Sequence, residues 1–369
     1  MKQYKELLSG LLEQPTAPFQ EQAVISWIQE WAARQKLPFR QDTAGNVLVE
    51  YRKGRSKSLP HWVLAAHMDH PGFQTVSQDG RTVEAVFFGG VAQSYFKGAK
   101  VALHRPQGVV KATVQGAEFP EQGQPLVTLR LGRQAVVPPG TLGMWDLPPL
   151  RIAGGKIISR ACDDVVGCAS VLCAMERIAA AGKSGRVTAL LTRAEEAAFI
   201  GALAACEAQT LPVEGTYIVA VETSKAQPAA QLGQGVVIRV GDRARVFDPD
   251  LTAYLVAAAG RLAKADSTFK SNTQLMPGGV CESTAYSIWG YRAGGLCLAM
   301  ENYHNQGEGN RIMPEAVSAC DFDSLVKLLA ALPADSGSPA QTRQELRSRL
   351  EGLLQQRGGY LKTWGGKTV

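Results

Sequence analysis

The chain is 369 residues long, 45% hydrophobic and 20% charged, with a formal net charge of +6. That length exceeds one ordinary core and implies two domains, or one large domain with an insertion. No run of about 18 apolar residues occurs, which excludes a membrane-spanning helix, and the charged, amphipathic start MKQYKELLSGLLEQ lacks the layout of a secretion signal.

The first 35 residues carry Val24, Trp27, Ile28 and Trp31 at the spacing of one helix face. WVLAA (62–66) reads as a buried strand that ends at His67. From about 73 to 156 the pattern changes to short β-rich pieces (TVEAVFF, AKVALH, GVVKATVQG, PLVTLRL) divided by Gly and Pro, which predicts a small inserted all-β domain. Residues 164–181 are helical, with Asp163 or Asp164 placed to cap the first turn. VTALL (187–191) is a strand ahead of Glu195 and Glu196, TYIVAV (216–221) is one that ends at Glu222, and GLCLAM (295–300) is one that ends shortly before His304. Residues 251–265 and 321–331 read as helices. Apolar strands alternating with helices imply an α/β fold, a sheet with helices on both faces. The expected division is a catalytic domain of 1–72 and 157–335, an inserted β-barrel-like domain of 73–156, and a helical tail of 336–369 with Leu346, Leu350, Leu353 and Leu354 on one face, packed on its own subunit or a neighbour.

Charge and cysteines narrow the partners. Within 341–369, Arg343, Arg347, Arg349, Arg357, Lys362 and Lys367 face only Glu345 and Glu351, so the excess sits in the tail and the rest is near neutral. Without a basic stripe interleaved with aromatic platforms, nucleic acid is not an expected partner. Cysteines at 162, 168, 173, 206, 281, 297 and 320 form no CxxC pair, and an odd number without a framework fits reduced thiols in a cytoplasmic protein.

Four strands each deliver a metal-capable side chain at or just past the carboxyl end, where open α/β sheets bind ligands: His67, the Glu195–Glu196 pair, Glu222 and His304, joined by Asp163 at a helix start. Two histidines with several carboxylates and no thiolate suit zinc, cobalt or manganese in a catalytic site. The carboxylates are too many for one tetrahedral ion, so two divalent ions about 3.5–4 Å apart with a shared carboxylate are expected. Of the adjacent Glu195 and Glu196, one would bind metal and the other would take a proton from the bridging water. Asp69, two residues from His67 in an extended segment, would accept a hydrogen bond from its far nitrogen and fix its tautomer.

In this order, AHMDHPGF (66–73), SRACDDVVGCA (159–169), TRAEEAAFIGA (192–202), VAVETS (219–224) and NYHN (302–305) resemble the co-catalytic aminopeptidases of the glutamyl aminopeptidase and tetrahedral TET peptidase family, also called cellulase M-like. The resemblance runs to about residue 333. It implies a zinc-peptidase-like mixed sheet, an aminopeptidase activity, and homo-oligomers from dimers to dodecamers with the inserted domain at the contacts. It also implies that His67, Asp163 and Glu222 hold one metal while Asp163, Glu196 and His304 hold the other. Glu195 would be the general base, Asp69 would orient His67, and Asp164 would support the turn beside the bridge. The chain departs from the family at Glu222 (usually Asp), at His70 (commonly Glu) and at GGVCEST (278–284). Glu at position 222 keeps a carboxypeptidase or an N-acyl-amino-acid deacylase as the second reading, with N-acyl amino acids as its substrates, and a non-catalytic homologue as a third.

Other residues carry less. His61 and His104 have no companion motif and read as packing or surface residues, while His70 lies close enough to the site to contact substrate. Cys162 reads as a buried filler. GQGVVIRVG (233–241) lacks the third glycine of a dinucleotide fingerprint, and GKS (182–184) lacks the leading glycine of a phosphate loop.

Overall fold

The strand His61–His67 is buried along its whole length, as a strand covered on both faces requires. It lies in a row of four parallel strands, in the spatial order Gly185–Thr192, His61–His67, Thr216–Lys225 and Arg292–Glu301. In this computed structural model, which describes residues 1–54, 60–334, 337–364 and 367–368, antiparallel strands extend the row on both sides. Val47–Lys53 and Phe39–Gln41 continue it beyond Gly185–Thr192, and Glu315–Ser318, Lys156–Ser159 and Arg151–Ala153 beyond Arg292–Glu301. Val236–Gly241 and Ser271–Leu275 branch from Arg292–Glu301. The sheet is therefore mixed.

Side-chain alternation sorts the two faces. Trp62, Leu64 and Ala66 join the helices Lys5–Leu12, Gln22–Gln35, Val165–Ala181, Pro249–Ala265 and Ala319–Ala331 in the main core. Val63 and Ala65 point the other way and meet Ile200–Glu207 and Glu282–Ile288. Val165–Ala181 is buried without interruption from Val165 to Met175, the mark of a central helix that is apolar all round.

Six strands close a separate barrel, in the order Gly72–Asp79, Thr82–Phe88, Leu126–Leu131, Gly108–Glu118, Lys100–Arg105 and Leu142–Trp145. Alternate residues of Thr82–Phe88 point inward, and Phe73, Phe87, Phe96 and Trp145 fill the barrel with ring centroids 4.8–6.4 Å apart. The chain rejoins the large sheet already at Arg151, ahead of the expected 157. The hairpin Arg151–Ala153/Lys156–Ser159 turns on Gly154 and Gly155, at φ +57° and +72°, a two-residue turn that glycine makes without strain.

The tail forms a helix, Pro339–Arg357, whose N-terminus is capped by the Ser338 hydroxyl accepting from the Gln341 N–H at 3.2 Å. Of the two expected places for its leucine face, its own subunit or a neighbour, the first does not receive it. Leu346, Leu350 and Leu354 are 53%, 56% and 64% exposed, because the helix is held at its start, with Pro339 buried and Arg343 3.4 Å from Asp250. Among the described residues no helix is long and apolar enough to cross a membrane.

His61 opens its strand at the end of the sheet opposite His67 and is buried against Thr188 and Thr216, at 2.8 and 3.4 Å. Burial, with Arg186 and Arg40 adding to it, pushes its pKa down to about 4. The fold therefore prefers the neutral ring. Its stabilising contribution is complete above the unfolded value near 6.5 and is lost as pH falls toward 4. Between pH 7 and pH 5 this group costs roughly 2 kcal/mol of stability. Thermal unfolding at the two pH values is expected to show that drop, reduced in a His61→Gln protein; an identical drop in both would remove His61 as its cause.

Candidate metal centre

All four parallel strands end at one rim, and that shared polarity brings distant residues together. His67 closes its strand, Glu195 and Glu196 lie on a short turn just past Thr192, and His304 follows Glu301 closely. Glu222 lies inside Thr216–Lys225, paired with Cys297, and not at the strand's end as expected. Asp163 precedes Val165–Ala181, whose N-terminal cap is Asp164. The turns that carry these groups use sparsely populated backbone: Ala194, Ala198 and Phe199 around the glutamates, and Asn302, His304 and Asn305 at the second histidine, all have positive φ.

Asp163 is the hub. Its Oδ1 lies 3.4 Å from His67 Nε2 and its Oδ2 lies 3.5 Å from His304 Nε2. Glu196 Oε1 is 3.0 Å from His304 Nε2, and Glu195 Oε2 is 3.9 Å from His67 Nε2. His67, Glu195 and Glu222 present ligand atoms within 4.8 Å of one another, as do His67, Asp163 and Glu196. Each histidine is turned by a backbone carbonyl: His67 Nδ1 donates to Asp69 O at 3.1 Å, and His304 Nδ1 to Gly90 O at 2.9 Å. Both Nε2 atoms are thereby left facing the carboxylates.

The expected Asp69 contact takes a different form. Its carboxylate stands 3.6 Å from His67 Nδ1, while its oxygens accept from Glu195 N–H at 2.9 Å and Glu196 N–H at 3.0 Å. Unpaired N–H groups of the glutamate turn lie nearer than the imidazole, so Asp69 orders that turn, and the main chain orients His67. His70 does not line the cavity beside the centre. Buried, it donates from Nδ1 to Asp163 O at 2.5 Å and places Nε2 2.8 Å from Asn305 Oδ1, so it holds the hub's backbone from behind.

The charges show what the cluster seeks. Burial would raise the Asp163 pKa, but the His304 and His67 imidazoles that face it outweigh that effect and hold this carboxyl well below its usual range. Burial would lower both histidines, yet Glu195 with Asp163 and Asp69 raises His67, and Glu196 with Asp163 raises His304. Burial lifts Glu195, with Glu222, Glu196 and Asp69 adding to the effect against His67. It also lifts Glu222 to about 8, reinforced by Asp163 and Glu282 and opposed by His67 and Arg239. A field that draws protons onto two buried imidazoles equally attracts divalent cations, whose uptake would release those protons. Asp163 Oδ1 and Glu222 Oε1 are buried without a hydrogen-bond partner among the described residues. Two neutral imidazole nitrogens, buried carboxylates and these orphaned oxygens fit zinc-class cations.

Several contributors were not singled out from sequence. The Asp163 N–H donates to Glu315 Oε2 at 3.0 Å, and Asn305 Nδ2 to Arg160 O at 3.1 Å. Glu282 is buried behind His67, its pKa raised by burial to about 7. Glu315 and Glu282 are single acids at the starts of short elements and carry no distinguishing signal. Arg239 had one, as a lone charge in the apolar strand VVIRVG. The glycines of GQG (233–235) serve structure: their N–H groups donate to Asp321 at 2.7 and 2.8 Å, and Gly235 passes against the Lys270 backbone where a side chain would clash.

Residues 132–317 match the family model described as M42 glutamyl aminopeptidase. In sequence alone, no curated protein matches the chain. Solved structures share the fold. An aminopeptidase of the archaeon Desulfurococcus kamchatkensis has a TM-score of 0.75 at 19% identity, over 93% of this chain and 97% of its own. The TET aminopeptidase of a marine-sediment Thaumarchaeota archaeon has a TM-score of 0.75 at 17% identity, over 90% and 96%. The Pyrococcus horikoshii TET1 peptidase, described as assembling into a tetrahedron or a large octahedral shell, has a TM-score of 0.72 at 19% identity, over 89% and 99%.

Proposed function

The chain belongs to the M42 glutamyl aminopeptidase family and is a metallo-aminopeptidase, and on that premise we propose that it removes N-terminal residues from short peptides using two divalent cations that share Asp163. One observation carries this reading: the two oxygens of a single buried carboxylate face two different histidine Nε2 atoms, at 3.4 and 3.5 Å. His67, Asp163 and Glu222 would hold one cation, and Asp163, Glu196 and His304 the other. Zinc suits the mixed nitrogen and oxygen donors, with cobalt or manganese as substitutes. When bound, the pair supplies Lewis acidity toward the scissile carbonyl and acidifies the attacking water. Glu195 takes the proton from that water and delivers it to the leaving amine. Asp69 fixes the turn that aims Glu195, and the Gly90 carbonyl lends the barrel's connecting loop a part in aiming His304. The barrel region, 73–156, is proposed as an inserted unit that joins copies of the chain into a homo-oligomer; a monomeric mass in solution would remove that part.

Metal analysis paired with a peptide-library digest tests the reading. The expected result is two divalent cations per chain and products shortened from the amino end. Trimming from the carboxyl end, or cleavage confined to N-acyl amino acids, would replace it with the carboxypeptidase or deacylase reading.

A further inference from the structure

The helix Pro339–Arg357 presents apolar surface that neither the metal centre nor the sheet uses. Leu346, Leu350 and Leu354 are more than half exposed, and Leu353 is exposed beside them. At about 100° per residue, the four leucines fall within an arc of about 100°. Arg347 and Arg349 stand on the two flanks of that arc, and Glu345 and Glu351 lie beyond them, toward the back of the helix. Arg343 and Arg357 fall within the arc, about one turn before the first leucine and one turn after the last. The leucines thus form a short stripe bordered by arginines on every side.

The contacts these arginines make leave them open to an outside anion. Arg347 meets Glu351 at 2.9 Å and Arg343 meets Asp250 at 3.4 Å, yet the two arginine side chains are 72% and 70% exposed. Exposed pairs of this kind hold little. Beyond the helix, Tyr360 and Leu361 are also exposed, and Trp364 follows in the sequence. The charge pattern decides what covers the stripe. Were a second copy to lay the same helix against it, in either direction, flanking arginines would meet flanking arginines and repel. An anionic lipid surface answers both features. The leucines enter the headgroup and acyl boundary, while the long arginine stems keep their charge at the level of the phosphates. Tyrosine and tryptophan favour the same depth. A stripe of four leucines lies on a bilayer and needs no spanning helix.

We propose that Pro339–Arg357 is a membrane-surface helix that docks the enzyme on bilayers containing anionic lipid. Leu346, Leu350, Leu353 and Leu354 enter the surface, and Arg347, Arg349 and Arg357 engage the headgroups. The docking is independent of the metal centre and holds whichever bond the enzyme cleaves.

The full metal-loaded chain is floated through a density gradient with vesicles of phosphatidylcholine alone, or of phosphatidylcholine and phosphatidylglycerol in equal parts. Wild type is compared with a Leu350→Ala/Leu354→Ala protein, which keeps the helix propensity of the segment, and with an Arg347→Gln/Arg349→Gln protein. At low salt, wild type is expected to float with the anionic vesicles about 10-fold or more above the neutral ones, and high salt narrows the difference. The leucine variant loses the flotation, and the arginine variant falls by about 10-fold. Thermal unfolding checks that both variants keep the fold, as changes at exposed positions allow. Flotation of wild type with neither vesicle overturns the proposal. Undiminished flotation of the leucine variant also overturns it, since charge alone would then draw the chain to lipid. A leucine variant that runs as a smaller assembly than wild type, with no vesicles present, gives the stripe to a second copy and overturns it too.

Discussion

A Glu195→Gln protein is expected to lose roughly 10²- to 10⁴-fold in kcat, with KM little changed and two cations still bound. The amide keeps the shape of the side chain but cannot accept a proton. Glu195 suits the task by position: its N–H is fixed at 2.9 Å by Asp69, its side chain is 11% exposed at the cavity wall, and its carboxyl is held up by burial and by neighbouring acids. Steady-state kinetics and metal analysis on one preparation read both halves of the result. Full activity would move the base elsewhere. A lost cation would make Glu195 a ligand, an outcome the proximity of its carboxylate to His67 and Glu222 gives concrete form.

Asp163→Asn tests the hub. The expected outcome is fewer than two cations per chain and a loss of several kcal/mol of transition-state stabilisation, roughly 10³-fold or more in rate. Removing the charge leaves His67 and His304 without the carboxylate that each faces, and one uncharged amide cannot neutralise two divalent ions. Metal stoichiometry and turnover give the answer, with circular dichroism to show that the sheet is intact. A folded Asp163→Asn protein retaining both ions and ordinary turnover would end the shared-carboxylate model.

Much of this was legible in the chain. WVLAA, VTALL, TYIVAV and GLCLAM are apolar runs whose burial on both faces only strands in a covered sheet require, and their polar successors lie near one rim because the four strands run parallel. The repeated apolar residues of 164–181 marked the central helix for the same reason. The return at Arg151 was also readable, since the Gly154–Gly155 pair between apolar residues is a hairpin signal that the broader β pattern masked. The exposed leucine face of Pro339–Arg357 was not: helical spacing tells which residues share a face, and says nothing of whether a surface exists to receive it.

Local pattern and strand polarity, set by residue type at fixed spacing, determined the α/β fold, the barrel and the convergence of His67, Asp163, Glu196 and His304 at one rim. Tertiary structure alone decided the second layer. Gly90 turns His304, Asp69 orders the glutamate turn in place of the imidazole, His70 and Glu315 hold Asp163 from behind, and the buried Arg239 Nε has no hydrogen-bond partner among the described residues. These contacts join segments far apart in the chain through single hydrogen bonds. Such pairings depend on distances of a few tenths of an ångström between elements, and no spacing of residues along the chain encodes them.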